Sequence, residues 1–116
     1  MTFKIERPEA DLRFMTALEC LNEGTSLEFD RVSFWIDRDH GSLHVSAISE
    51  WQPDNLDDSR AKSQLMRGER AFNSLMTVPA FKSLVSDLQP RYSVIYDYGT
   101  GSVEMCTLVG STIKWT

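Results

Sequence analysis

The sequence predicts one α+β domain in which a mainly antiparallel sheet carries helices packed on one face. Three observations support this fold class. The length of 116 residues suits a single hydrophobic core, so we assign one domain to residues 1–116. Segments with a helical spacing of apolar residues alternate with segments rich in β-branched and aromatic residues. Turn sequences, rather than long crossovers, join most of the strand-like segments.

The N-terminal part predicts a strand followed by a helix. Residues 3–5 indicate a short first strand, because Phe3 and Ile5 flank a lysine. Pro8 predicts the first turn of a helix, since the missing N–H of proline costs nothing there. Apolar residues then recur with helical spacing over residues 14–21. Gly24 predicts the end of this helix, because glycine adopts the left-handed conformation without strain.

Residues 27–51 predict a β-hairpin. From Leu27 to Ile36 the chain reads as one strand, with Phe34 among the residues that alternate toward the core. Residues 37–42 (DRDHGS) have the composition of a turn. Residues 43–51 then alternate between apolar and polar side chains, as a second half-buried strand would.

The remaining segments predict two helices and a second hairpin. Residues 53–59 (PDNLDDS) carry capping residues before a long helix that extends to Leu75. A shorter helix begins at Pro79 and ends before Pro90. Residues 91–115 read as a hairpin, to which residues 113–115 add a candidate last strand. The predicted order is β-α-β-β-α-α-β-β, and the order of strands within the sheet stays open.

The charge balance bears on the class of partner. The chain has 12 Lys and Arg against 17 Asp and Glu, which gives a net charge of -5. A negative field repels phosphate backbones and anionic membranes, so we expect neither direct nucleic-acid binding nor membrane binding. The same field favours encounter with a basic protein partner.

Cysteine usage and the absence of apolar runs indicate a cytoplasmic protein. Cys20 and Cys106 lie far apart in the sequence, without the spacing of a disulfide framework or a zinc site. Lys4, Glu6 and Arg7 interrupt the first apolar residues, so no signal-peptide core is present. No stretch approaches the roughly 18 apolar residues of a membrane-spanning helix.

No motif predicts catalysis or a cofactor. Ser59 and Lys62 match S-x-x-K, but the motifs that accompany it in serine enzymes are missing. Gly99 and Gly101 resemble the start of a phosphate loop, yet strand-like residues follow them instead of a helix. We therefore expect a protein that is not an enzyme and that binds no cofactor.

A group of histidines and aspartates lies in the first hairpin. Asp37, Asp39, His40 and His44 provide oxygen and nitrogen donors within eight residues. The calcium-loop pattern fails, because Gly41 stands at the fifth position instead of the sixth. We interpret the group as a solvated turn and expect no metal site, while a small enzyme or ligand-binding site that uses His40 and His44 stays an alternative.

The densest acidic patch surrounds a tryptophan. Trp51 lies next to Glu50 and close to Asp54, Asp57 and Asp58. One interpretation is helix capping, because carboxylates in a first turn meet unpaired N–H groups and the positive end of the helix dipole. The other is a docking patch in which Trp51 is an aromatic anchor and the carboxylates meet Lys or Arg of a partner. The two interpretations are compatible.

A row of tyrosines follows one parity of a predicted strand. Tyr92, Tyr96 and Tyr98 alternate along residues 92–98. An exposed tyrosine row suits protein recognition, because each ring offers a large rigid surface with a polar tip. The alternative is a row packed beneath the helices with its hydroxyls at the rim.

These features favour a non-catalytic binding protein that occludes a basic protein partner, as a bacterial immunity protein inhibits a nuclease toxin. The residues expected to bind the partner are Trp51, Asp54, Asp57, Asp58, Tyr92, Tyr96 and Tyr98. One alternative is a phage anti-defence inhibitor that mimics nucleic acid and presents the same carboxylates to a DNA- or RNA-binding channel. The oligomeric state stays open, because an exposed edge strand could pair across a dimer.

Overall fold

The computed structural model describes residues 2–8 and 13–116, and in this part of the chain one sheet has seven strands in sequential order. The strands are β1 (Thr2–Ile5), β2 (Ser26–Phe29), β3 (Val32–Asp37), β4 (Ser42–Ile48), β5 (Gln89–Asp97), β6 (Ser102–Val109) and β7 (Thr112–Trp115). The helices are α1 (Phe14–Asn22), α2 (Asp58–Leu75) and α3 (Pro79–Val85). Short 3-10 turns lie at Arg38–His40 and Pro53–Asn55.

The predicted α+β class is confirmed. Neighbouring strands are antiparallel except for the pairs β1–β2 and β4–β5, which are parallel. Helix α1 packs on β2 and β3, α2 packs mainly on β4 and β5, and α3 packs on α1. The observed order, β-α-β-β-β-α-α-β-β-β, contains two strands more than the predicted order. The candidate last strand accounts for one of them, since β7 pairs with β6.

The other additional strand comes from a turn that the sequence conceals. The prediction of one strand from Leu27 to Ile36 is wrong, because Asp30 and Arg31 form a two-residue turn between β2 and β3. Their φ angles are 53° and 59°. Tight hairpins of this kind need positive φ at both central positions, which Asn-Gly usually supplies. Neither residue here is glycine, so the usual sequence signature is missing.

The ends of the helices follow their local chemistry in part. Pro8 lies in a turn, and α1 begins at Phe14. The predicted first turn of this helix falls on residues 9–12, which lie outside the described residues. Gly24 has a φ of 99° and follows the end of α1, as predicted. Asp57 caps α2, since its Oδ1 accepts a hydrogen bond of 2.9 Å from the N–H of Arg60. The predicted capping interpretation is therefore confirmed for Asp57.

The buried apolar residues form two clusters beneath the helices. The larger cluster joins α1, α3 and the C-terminal half of α2 to β2, β3 and β4. The smaller cluster lies under the N-terminal half of α2 and comprises Leu56, Ala61, Leu65, Val94 and Cys106. Because it joins the start of α2 to β5 and β6, this cluster fixes where the first turn of α2 lies on the sheet.

A β-bulge interrupts the pairing of β5 with β6. Val94 pairs with Cys106 but Ile95 pairs with Glu104, so Met105 is the extra residue of a β-bulge in β6. A bulge increases the local bend and twist of a strand pair. The tip of the β5–β6 hairpin, residues 99–101, lines the same concavity as residues of β1 and β2. We call the side of the sheet opposite the helices the open face.

Candidate functional site

The loop between β4 and α2 holds Trp51 in a fixed position. The Ser49 hydroxyl accepts a hydrogen bond of 3.0 Å from the N–H of Trp51 and donates one of 2.8 Å to its carbonyl. The guanidinium carbon of Arg60 lies 3.9 Å from the centroid of the indole ring, in a cation–π contact. The Trp51 residue is still 38% exposed, so part of its surface is accessible to a partner.

Most carboxylates of the acidic patch have structural contacts and stay exposed. Oδ1 of Asp58 accepts a hydrogen bond of 2.8 Å from the indole N–H of Trp115. Glu50 forms a salt bridge of 2.7 Å with Arg67. The exposed Asp54 makes no side-chain hydrogen bond or ion pair with the rest of the described chain. Within the described residues only Glu50 of this patch is paired with a cation, so Asp54, Asp57 and Asp58 keep their negative charge, and Asp54 also lacks a hydrogen-bond donor.

The acidic patch and part of the tyrosine row share one surface. The Tyr96 hydroxyl donates a hydrogen bond of 2.9 Å to Oε1 of Gln52, the residue that follows Trp51. Tyr96 and Val103 are paired residues of β5 and β6, and both lie on the helix side of the sheet, beyond the first turn of α2. This hydrogen bond joins the sheet to the loop that holds Trp51.

The other two tyrosines lie in different surroundings. Tyr92 is half-buried under α2, with its ring centroid 6.3 Å from that of Phe72 in an edge-to-face arrangement. Burial, and secondly the charge of Glu69, raise the pKa of Tyr92. Tyr98 is exposed near the tip of the β5–β6 hairpin, where its ring lies against Gly101. Among the three, Tyr96 therefore has the direct link to the acidic patch.

Trp115 is a surface residue that the sequence analysis missed. It is 42% exposed, and the register of β7 on β6 places it opposite Cys106, on the helix side of the sheet. Residues 58 and 60 lie about 200° apart around a helix, so Trp115 and Trp51 contact opposite sides of the first turn of α2. We call the set around this turn the α2 N-terminal surface. It consists of Trp51, Gln52, Asp54, Asp57, Asp58, Tyr96 and Trp115.

The histidines of the first hairpin gather around one carboxylate. Oδ2 of Asp37 lies 2.8 Å from Nδ1 of His40 and 3.7 Å from Nε2 of His44. Burial acts to raise the pKa of Asp37, but the hydrogen bonds and positive charge of His40, together with His44, hold it below the ordinary value. The ring of His44 also packs against Trp35, with 5.1 Å between the centroids. His44 lines a concavity of the open face, whereas His40 points to solvent.

The possible metal ligands and the two thiols lie apart from one another in the described residues. Over residues 2–8 and 13–116, no group of three or more His, Cys, Asp or Glu side chains is arranged to hold a metal ion. Cys106 is buried in the smaller cluster, and this burial raises the pKa of its thiol. Neither cysteine forms a disulfide. In the same part of the chain, no helix has the length and apolar character needed to cross a membrane.

Comparison with known proteins assigns no family to this geometry. No protein-family model, no curated protein and no solved structure matches the chain.

Proposed function

We propose that this protein is a non-catalytic binding protein that occludes a basic protein partner with its α2 N-terminal surface, as a bacterial immunity protein inhibits a nuclease toxin. The hydrogen bond between Tyr96 and Gln52 is the observation that carries the proposal. It joins the aromatic and acidic features into one surface, although they lie on separate segments of the chain.

The aromatic residues of this surface support tight binding. Trp51 and Trp115 are 38% and 42% exposed, and each is oriented by a contact with the first turn of α2. Tryptophan and tyrosine are enriched among the residues that dominate binding energy, because they bury large rigid surfaces. Side chains that are already held in place lose little conformational entropy when a partner binds.

The charges of the surface support a basic partner. Asp54, Asp57 and Asp58 lie close to the aromatic rings, and Arg60 is the cation among them. The charge of Asp54 is not compensated within the described chain, so a partner's lysine or arginine would meet it directly. Complementary charge mainly accelerates association, while buried aromatic contacts slow dissociation.

The arrangement favours a protein partner over mimicry of nucleic acid. A mimic of a phosphate backbone needs a continuous row of negative charge. Here Arg67 neutralises Glu50, and the guanidinium of Arg60 lies over Trp51 and donates a hydrogen bond to the carbonyl of Asn55. These guanidinium groups interrupt the negative surface, whereas the aromatic rings between them suit a protein interface.

Partner capture followed by calorimetry tests the proposal. The tagged protein is used to capture partners from its source organism, and the purified candidate is titrated in about 0.05 M and about 0.3 M salt. We expect a basic partner whose affinity falls with salt. Asp54→Lys should weaken binding by about tenfold or more, because it places like charges in contact.

A charge-matched variant provides the control. Asp87→Lys makes the same charge change at an exposed position before β5, whereas Tyr96 lies near the end of that strand. This variant should bind within about twofold of the wild type, since separated surface charges are screened. The proposed surface would be contradicted if Asp54→Lys and Asp87→Lys lowered the affinity for the partner equally, or if that affinity did not change with salt.

A further inference from the structure

The open face carries a second concavity, away from the α2 N-terminal surface. It has a volume of about 410 Å³ and lies over β4, β5 and β6. This volume is in the range of small-molecule sites, which is about 300–1,000 Å³. The polar residues that line it are His44, Arg91, Tyr92, Ser93, Glu104 and Thr107.

Ser93 and Thr107 form the floor of this concavity, and Ser46 lies next to Ser93. Ser46 pairs with Ser93 in the parallel strands β4 and β5, and Ser93 pairs with Thr107 in the antiparallel strands β5 and β6. The hydroxyls of Ser46 and Ser93 are hydrogen-bonded at 2.9 Å. Short side chains at this level of the sheet leave room for a ligand, and hydroxyls both donate and accept hydrogen bonds.

Opposite charges lie at the two ends of the floor. His44 pairs with Arg91 on one side of the serine pair, and Ile95 pairs with Glu104 on the other side. The side chains of Arg91 and Glu104 make no hydrogen bond or ion pair with the rest of the described chain. Arg91 and Ile95 are four residues apart on β5, which corresponds to about 13 Å. The two charges are therefore held apart and do not neutralise each other directly.

At the Arg91 end, the imidazole of His44 is oriented by two neighbouring side chains. His44 is held between Trp35, 5.1 Å away between ring centroids, and Asp37, 3.7 Å from its Nε2. The planar guanidinium of Arg91 beside it can bind a carboxylate through two parallel hydrogen bonds. A carboxylate or phosphate group could bind at this end, but a purely anionic ligand would be repelled by Glu104 at the other.

We propose that this concavity binds a short zwitterionic peptide, with its carboxylate at Arg91 and His44 and its ammonium group at Glu104. An extended chain spans about 3.3–3.6 Å per residue, so three residues span roughly 10 Å. That length fits between the two charged groups once their side chains reach toward the ligand. The partly exposed hydroxyl of Thr107 then faces the peptide groups in the middle, above the buried Ser93.

Neighbouring charges define the appropriate control. Lys114 of β7 pairs with Thr107, so it is a cation on the same face and next to the floor, outside the lining residues. It forms no salt bridge within the described residues. Lys114→Gln removes a positive charge on the same face without altering the two proposed contacts.

Nuclear magnetic resonance titration with triglycine tests the proposal. Amide shift changes in ¹⁵N-labelled protein are followed with triglycine, with triglycine amide and with N-acetyltriglycine. We expect shifts at residues of β4, β5 and β6, and a loss of affinity of about tenfold when either terminal charge of the peptide is removed. The peptide contains only glycine, so these differences report on its termini.

Two variants assign each terminus to its residue. In Arg91→Gln, triglycine and its amide should bind equally, and in Glu104→Gln, triglycine and its acetylated form should bind equally. Lys114→Gln should bind like the wild type. Both charged residues are exposed, and the spectra report directly whether each variant is folded. Absence of shifts at high millimolar triglycine, or the same preference for free termini in all three variants, would overturn the proposal.

Discussion

The indole N–H of Trp115, near the end of the last strand, donates a hydrogen bond of 2.8 Å to Oδ1 of Asp58, the first residue of α2. This contact joins two elements that are 57 residues apart and fixes one side of the α2 N-terminal surface. Because both partners are exposed, water can replace part of the interaction when it is lost.

Removing this donor should destabilise the protein moderately. Trp115→Phe keeps an aromatic ring but leaves Asp58 without its donor, and we expect the free energy of unfolding to fall by about 0.5–1.5 kcal/mol. Urea denaturation followed by circular dichroism measures the change. Asp58→Asn serves as the control, since its amide oxygen still accepts the hydrogen bond. This substitution should lower the free energy of unfolding by less than Trp115→Phe does. Equal stability of the wild type and Trp115→Phe would show that the bond contributes nothing.

Two substitutions of Asp57, the cap of α2, distinguish its role in stability from its role in binding. Asp57→Ala removes the acceptor for the N–H of Arg60 and should cost about 1 kcal/mol in urea denaturation. Asp57→Asn retains an acceptor while removing the charge, so it should be close to wild type in stability. If the carboxylate also contributes to association, Asp57→Asn should slow binding of the partner without unfolding the protein. An Asp57→Ala variant with the same free energy of unfolding as the wild type would contradict the capping role.

Gly68 of α2 offers a stabilising substitution. A Cβ at this position would lie 3.5 Å from Cγ1 of Val45 and 3.7 Å from Cδ1 of Tyr92, which are ordinary contacts. Gly68→Ala should therefore raise the free energy of unfolding by about 0.5–1 kcal/mol, through the lower conformational entropy of alanine in the unfolded chain. Gly41→Ala should have the opposite effect, because Gly41 has a φ of 62°. Alanine is strained in this left-handed conformation, so the free energy of unfolding should fall by about 1 kcal/mol. Destabilisation by Gly68→Ala would mean that α2 packs more tightly on β4 and β5 than these distances indicate.

Asp37 should contribute to the pH dependence of stability. Its pKa is lower in the folded protein than the ordinary value of 3.8, because the contacts with His40 and His44 outweigh the effect of burial. The contribution is present above the unfolded pKa and is lost as the pH falls through the folded one. The Tm advantage of the wild type over Asp37→Asn should thus be present above the ordinary pKa of Asp37 and should shrink as the pH falls below it. A difference that grows toward acid pH would contradict this sign.

Local chemistry explains which parts of the fold the sequence predicted. The start of α2 was predictable, because Asp57 and its neighbours form a capping sequence before a long helical pattern. The turn at Asp30 and Arg31 was not, since neither residue normally favours the positive φ that both adopt.

The candidate site was predictable only as separate features. The acidic patch and the tyrosine row are visible in the sequence, but Tyr96 and Gln52 are 44 residues apart. Their contact depends on the order and register of β4, β5 and β6, which no local pattern encodes. The role of Trp115 depends in the same way on how β7 pairs with β6.

The central claim is that the α2 N-terminal surface, and not the open face, contacts the protein partner. The protein contains three tryptophans, all of them partly exposed, and Trp35 lies on the open face while Trp51 and Trp115 lie on the proposed surface. Hydroxyl-radical footprinting of the complex, read by mass spectrometry, compares their oxidation rates without any substitution. We predict that the partner protects Trp51 and Trp115 and leaves Trp35 unchanged. Protection of Trp35 alone would contradict the claim.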